Sequence, residues 1–82
     1  SLSVDYEIIF GNSPDVGQDG ETSVTMSCPA GRNAISISGD WSQTFHATAS
    51  ILTLTGGTVW GINPDPTEQH LRGRLVCADV TP

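Results

Sequence analysis

"SVTMSCPAGRNAISIS", residues 23–38, carries the reading that decides the fold. Val24, Met26 and Cys28 recur at every second position, the period at which side chains of an extended strand return to one face. Pro29 then withdraws a backbone donor and Gly31 tolerates a positive φ, so Pro29, Ala30 and Gly31 end the strand and reverse the chain. Alternation resumes beyond the turn, with Ile35 and Ile37 expected to face inward. Two strands around a tight turn, with a cysteine at its lip, are the signature of a β domain.

The same punctuation runs along all 82 residues, which include nine glycines and five prolines. Residues 3–10 alternate Val4, Tyr6, Ile8 and Phe10 against Asp5, Glu7 and Ile9, a strand. Residues 11–20 are crowded with turn formers. After residues 40–48, which mix loop and strand character, a strand carries Leu52 and Leu54 and ends at a glycine pair. A further strand holds Trp60, read as core, and is stopped by Pro64 and Pro66. The last strand, within residues 69–80, puts Leu71, Leu75 and Cys77 on one face and Arg72, Arg74 and Val76 on the other. No stretch keeps the spacing of an amphipathic helix. Six or seven short strands predict one all-β domain over residues 1–82, a small antiparallel β-sandwich (jelly-roll-like) or barrel.

Nine acids oppose Arg32, Arg72 and Arg74, with no lysine, giving a net charge of −6. Such a surface repels phosphate backbones and anionic lipid, which argues against nucleic-acid binding and membrane docking. No apolar run approaches the ~18 residues of a membrane span, and no signal-peptide or lipidation pattern is present. The opening SLSVDY reads as a boundary within a longer protein.

Both cysteines fall on the apolar faces of their strands. A Cys28–Cys77 bridge would close a loop of about 50 residues, worth roughly 4 kcal/mol on the chain-entropy account. The competing reading is two separate buried thiols acting as small hydrophobes. The bridge predicts an oxidising location.

The order YEII, VTMSCPAG, VWGINP, LVCA resembles the small C-terminal modules that follow collagen-like Gly-X-Y repeats in bacterial surface proteins and phage tail fibres. The matching positions are Tyr6, Glu7, Cys28, Pro29, Ala30, Gly31, Trp60, Asn63, Val76, Cys77 and Ala78. The chain departs from that pattern after the turn, where Arg32, Asn33 and a single Gly39 replace lysines and a triple glycine. The resemblance implies a β-rich head on a homotrimeric fibre, in an extracellular, cell-surface or virion setting, that registers three chains or binds a receptor or glycan. Oligomerisation suits a domain of this size. Ile9, Val59 and Val76, apolar on otherwise polar faces, are the expected subunit contacts.

Chemistry-bearing residues are sparse. His46, His70 and the serines form no nucleophile elbow, so no catalytic residue is assigned. Cys28, Cys77, His46 and His70 match no zinc-ligand spacing. Asp15, Asp19 and Glu21 in one Gly-rich loop offer the hard oxygens calcium takes, with a solvated acidic loop as the competing reading; Asn63, Asp65 and Glu68 form a second such loop. Trp41, in a polar segment near Phe45, is read as an exposed ring against which a pyranose can stack. Asp40, Trp41, Gln43 and His46 are therefore the candidate ligand patch, against a buried Trp41 closing one end of the fold. The expected function is a non-enzymatic trimerisation and surface-binding head of a fibrous protein; the alternative is a monomeric carbohydrate-binding or adhesion module of a secreted protein.

Overall fold

The computed structural model describes residues 6–44, 46 and 48–79. Val4 and Asp5 of the first expected strand, Phe45 and the terminal Val80 lie outside the described residues. The described chain forms β1 (Tyr6–Asn12), β2 (Glu21–Ser27), β3 (Asn33–Trp41), β4 (Ala49–Leu52), β5 (Gly56–Ile62) and β6 (Leu71–Ala78). They make two three-stranded sheets, one ordered β1-β6-β3 and the other β2-β5-β4, with every pairing antiparallel. The turn after β2 behaves as its residues require. The Arg32 N–H donates to the Pro29 carbonyl at 3.2 Å, and Gly31 takes φ 86°, the left-handed conformation of the third residue in a type II turn.

One core lies between the inner faces. The β2-β5-β4 sheet contributes Val24, Met26 and Val59; the β1-β6-β3 sheet contributes Trp41, Leu71, Leu75 and Cys77. Three glycines, Gly11, Gly73 and Gly39, stand in register across β1, β6 and β3. A Cβ on Gly11 would meet Val24 Cγ1 at 2.6 Å, and one on Gly73 would meet Met26 Cε at 2.6 Å. A Cβ on Gly39 would press on Val59 Cγ1. The row is thus a trench in one sheet, filled by side chains of the other.

Cys28, directly after β2, is bonded to Cys77 in β6, with Cα atoms 5.8 Å apart and the two residues 49 positions apart in the chain. The bond joins the two sheets, and the alternative of separate thiols is removed. Among the described residues no helix is long and apolar enough to cross a membrane. A disulfide in a small β domain is compatible with an extracellular setting.

Several faces differ from the expected ones. In β1 it is Ile9 that packs against the core, while Tyr6 and Phe10 are exposed, Phe10 by 72%. Gly11 shares the Ile9 face and lies against Val24 and Met26, where a large ring has no room. A β-bulge between Ala34 and Ser36 inserts one residue into β3, so Ala34 and Ile37 reach the core and Ile35 turns outward. In β5 Val59 is fully buried and Trp60 points out. Gly57 and Gly61 share the Val59 face, against Ile37 and Trp41 respectively, so the indole of Trp60 must take the other side. Ile9 and Val59 therefore belong to the core and leave the expected subunit contact; Val76 stays on the outer face of β6. The strand expected to carry both Leu52 and Leu54 ends at Leu52, and Leu54 lies exposed in the following turn.

Candidate functional site

The four residues expected to form a ligand patch are divided by the fold. Trp41 continues the inward phase set by the bulge and is only 2% exposed. Its ring lies over Gly61, and its Nε1 has no hydrogen-bond partner among the described residues. No indole face is offered to a sugar there. Asp40, next in the chain, points outward and grips Arg72 with two bonds, Nε to Oδ1 at 2.9 Å and an η nitrogen to Oδ2 at 2.8 Å. The Gln43 backbone N–H donates to Gln69 Oε1 at 3.1 Å. His46 Nε2 lies 2.7 Å from Asp65 Oδ2.

The last two contacts belong to a polar knot at one end of the molecule, built on Asn63 and Gln69, both essentially fully buried. Asn63 Nδ2 donates to the carbonyls of Val16 (3.0 Å), Gly17 (3.3 Å) and Thr67 (3.0 Å). Asn63 Oδ1 accepts from the Asp65 backbone N–H at 3.0 Å and from Gln69 Nε2 at 2.7 Å. Gln69 Oε1 in turn accepts from Thr44 Oγ1 at 3.2 Å. Two side chains thereby fasten the loops that follow β1, β3 and β5, satisfying carbonyls that would otherwise be buried without donors. The sequence offers one signal for this knot, an Asn directly after a strand and before a proline.

The acidic loops are used differently from the calcium expectation. Asp15 Oδ1 pairs with His70 Nδ1 at 3.1 Å, the Asp19 backbone N–H donates to the Asn63 carbonyl, and Glu21 stands on β2. Among the described residues no group of three or more His, Cys, Asp or Glu is placed to hold a metal ion, and Asp15, Asp19 and Glu21 are not gathered into one. Cys28 and Cys77 are bonded to each other and cannot serve as zinc ligands.

The hydrogen bond from His46, with help from Thr44, holds the Asp65 carboxyl below its ordinary value of 3.8. Between that depressed value and 3.8 the unfolded chain binds the proton more readily than the folded one. The contribution of Asp65 is therefore complete above about pH 4 and is lost as pH falls through the folded-state value. Thermal melts from pH 6 to pH 3 should show Asp65→Asn less stable than wild type at the upper end, with the gap closing toward the lower. A constant gap would remove this pair from the acid response.

Two outward faces remain. On β2-β5-β4, Trp60 stands at the centre with Ser23 and Ala49 directly opposite it on the neighbouring strands. Thr58, flanked by Thr25 and Ile51, forms the next row, and Ile62 extends the stripe beside Glu21. The Thr25 and Thr58 hydroxyls are 3.1 Å apart. Apart from Glu21 this face carries no charge, although the chain has twelve charged residues, nine acids and three arginines.

The second face is a groove of about 560 Å³ on β1-β6-β3, lined by Phe10, Ser38, Gly39, Asp40, Arg72, Gly73 and Arg74. Phe10 and Ser38 flank Arg74 in register, and Asp40 flanks Arg72 one row away. Asp40 raises the pKa of Arg72 further through its hydrogen bonds and charge. Arg32 lies 3.3 Å from Glu7 and 3.8 Å from Asp79, outside the groove. Arg74 makes no ion pair or hydrogen bond with a described residue. The alternation alone leaves Phe10 and Trp60 on the wrong faces of β1 and β5, because it ignores the glycines beside them. Arg74 stands on the outer face of β6 as its spacing predicts, but nothing in the sequence pairs it with Phe10 and Ser38. Comparison of the chain with family models, curated proteins and solved structures finds no match.

Proposed function

We propose that the chain is a non-enzymatic head module that trimerises and binds a surface at the tip of a fibrous, collagen-like protein, of phage-tail or bacterial-surface type. The observation that carries this reading is the nearly uncharged face centred on Trp60. Copies of a chain with net charge −6 repel one another, and they approach at least cost through the face that holds almost none of that charge. An exposed aromatic ring with charge kept away from it is also a feature of interface cores. The strand order supports the accompanying fold reading. β1 pairs with β6 and β2 with β5, while β3 and β4 lie one in each sheet, an order compatible with a reduced jelly-roll.

Sedimentation equilibrium tests the assembly. A mass near three times 8.6 kDa is expected for the wild type, falling to that of the single chain in Trp60→Glu, which sets three like charges at the contact. A wild-type protein that remains a single chain at high micromolar concentration sinks the trimer. The groove beside Arg74 favours a second reading, the monomeric carbohydrate-binding module, which predicts ligand binding by a stable single chain.

A further inference from the structure

We infer that the groove on β1-β6-β3 is a binding site for a carboxylate-bearing saccharide, with Arg74 as the group that takes the carboxylate. This rests on the surface-binding half of the function proposed above and names its ligand class. The argument begins with charge. Nine acids outnumber three arginines in this chain. Arg32 is drawn to Glu7 and Asp79, and Arg72 is held by Asp40 in a two-bond grip. Arg74, on the central strand of its sheet and facing solvent, is left without an acidic partner among the described residues. A guanidinium presents a planar fork of donors that matches a carboxylate, and no described side chain of this chain engages that of Arg74. Asp40 on Arg72, one row away, is this same pairing made within the chain.

The neighbours of Arg74 select the rest of the ligand. Phe10 lies directly opposite on β1 and is 72% exposed, an aromatic surface kept in water at the edge of the groove. The apolar side of a pyranose ring fits such a surface. Ser38, opposite on β3, and the Asp40 carboxylate supply a hydroxyl and acceptor oxygens for sugar hydroxyls. Gly39 and Gly73 supply only backbone to the groove floor, their side-chain positions facing the core. A volume of about 560 Å³ falls within the range of small-ligand sites. An acidic peptide would satisfy Arg74 equally but makes no use of Phe10 and meets the carboxylate of Asp40 with its next charge. These observations favour the saccharide.

The test is titration of the ¹⁵N-labelled wild-type protein with a trisaccharide carrying one carboxylate, on a terminal glucuronic acid, its methyl ester and a glutamate-rich peptide. The trisaccharide should shift the amide resonances of Phe10, Ser38 and Arg74. Esterification keeps every ring and removes the charge, and should weaken binding by about tenfold or more. Arg74→Gln should weaken the acid trisaccharide similarly, with Arg74→Lys recovering part of the loss, and Phe10→Ala should weaken it several-fold. Equal binding of acid and ester, undiminished binding by Arg74→Gln, no shift in the groove, or a peptide that binds there as tightly as the saccharide each overturns the proposal. The ester comparison uses only the wild type, so it decides even if a variant fails to fold. Sedimentation of the same samples reports the assembly separately. Loss of groove binding in an intact trimer rejects the ligand alone, and groove binding by a single chain rejects the trimer alone.

Discussion

Reduction of the Cys28–Cys77 bond should lower the melting temperature by about 20 °C, since opening a loop of 49 positions frees about 4 kcal/mol of unfolded-chain entropy. Stabilities of roughly 0.05–0.15 kcal/mol per residue give about 4–12 kcal/mol for a chain of 82 residues, so the cross-link is a third or more of the total. Its position adds to this, because Cys28 and Cys77 belong to different sheets and hold the two halves of the core together. The measurement is a pair of calorimetric scans with and without dithiothreitol, with the Cys28→Ser/Cys77→Ser double variant as the chemical control. A reduced protein that melts with the oxidised one would mean that the core and the polar knot hold the fold unaided.

Asn63→Ala should be the most damaging single substitution in the polar knot. It strips the donor from the carbonyls of Val16, Gly17 and Thr67, and the acceptor from the Asp65 N–H and Gln69 Nε2, at a site sealed from solvent. Each unmet buried group costs about 1–3 kcal/mol, partly relieved where water enters. A net loss of about 3 kcal/mol is expected, or about 15 °C in melting temperature. Asn63→Asp separates hydrogen bonding from shape. It keeps the size and the acceptors but removes the donors and buries a charge, so its deficit should be deepest at neutral pH and shrink in acid. Chemical denaturation at pH 7 and pH 4 reads both effects. An Asn63→Ala protein with an unchanged midpoint would show that the loops are fastened elsewhere.

How far the sequence could be read depended on whether a strand touches the core through side chains or through their absence. β2 and β6 were legible because their inward residues are large and apolar. Val24 and Met26 lead to Cys28, and Leu71 and Leu75 to Cys77, which made both faces and the cross-link readable. β1 and β5 were misread for the opposite reason. Their inward positions include Gly11, Gly57 and Gly61, which carry no hydrophobic signal but mark where the opposing sheet comes closest. The two tryptophans exchanged places accordingly. Trp41, set in a polar segment, is buried over Gly61, and Trp60, set among apolar neighbours, faces out. The bulge in β3 was invisible because one inserted residue shifts the phase without changing composition. Of the ligand patch, Asp40 alone reached the groove, because partnership with Arg72 depends on strand register and not on distance along the chain.

The row formed by Gly11, Gly73 and Gly39 also has a mechanical meaning. Flat sheets resist separation through buried area but can shear past one another, since slippage loses contacts only gradually. Here Met26, Val24 and Val59 sit in a slot that crosses all three strands, so displacement along the strands must first lift those side chains out of it. The two layers are keyed against sliding along the strands.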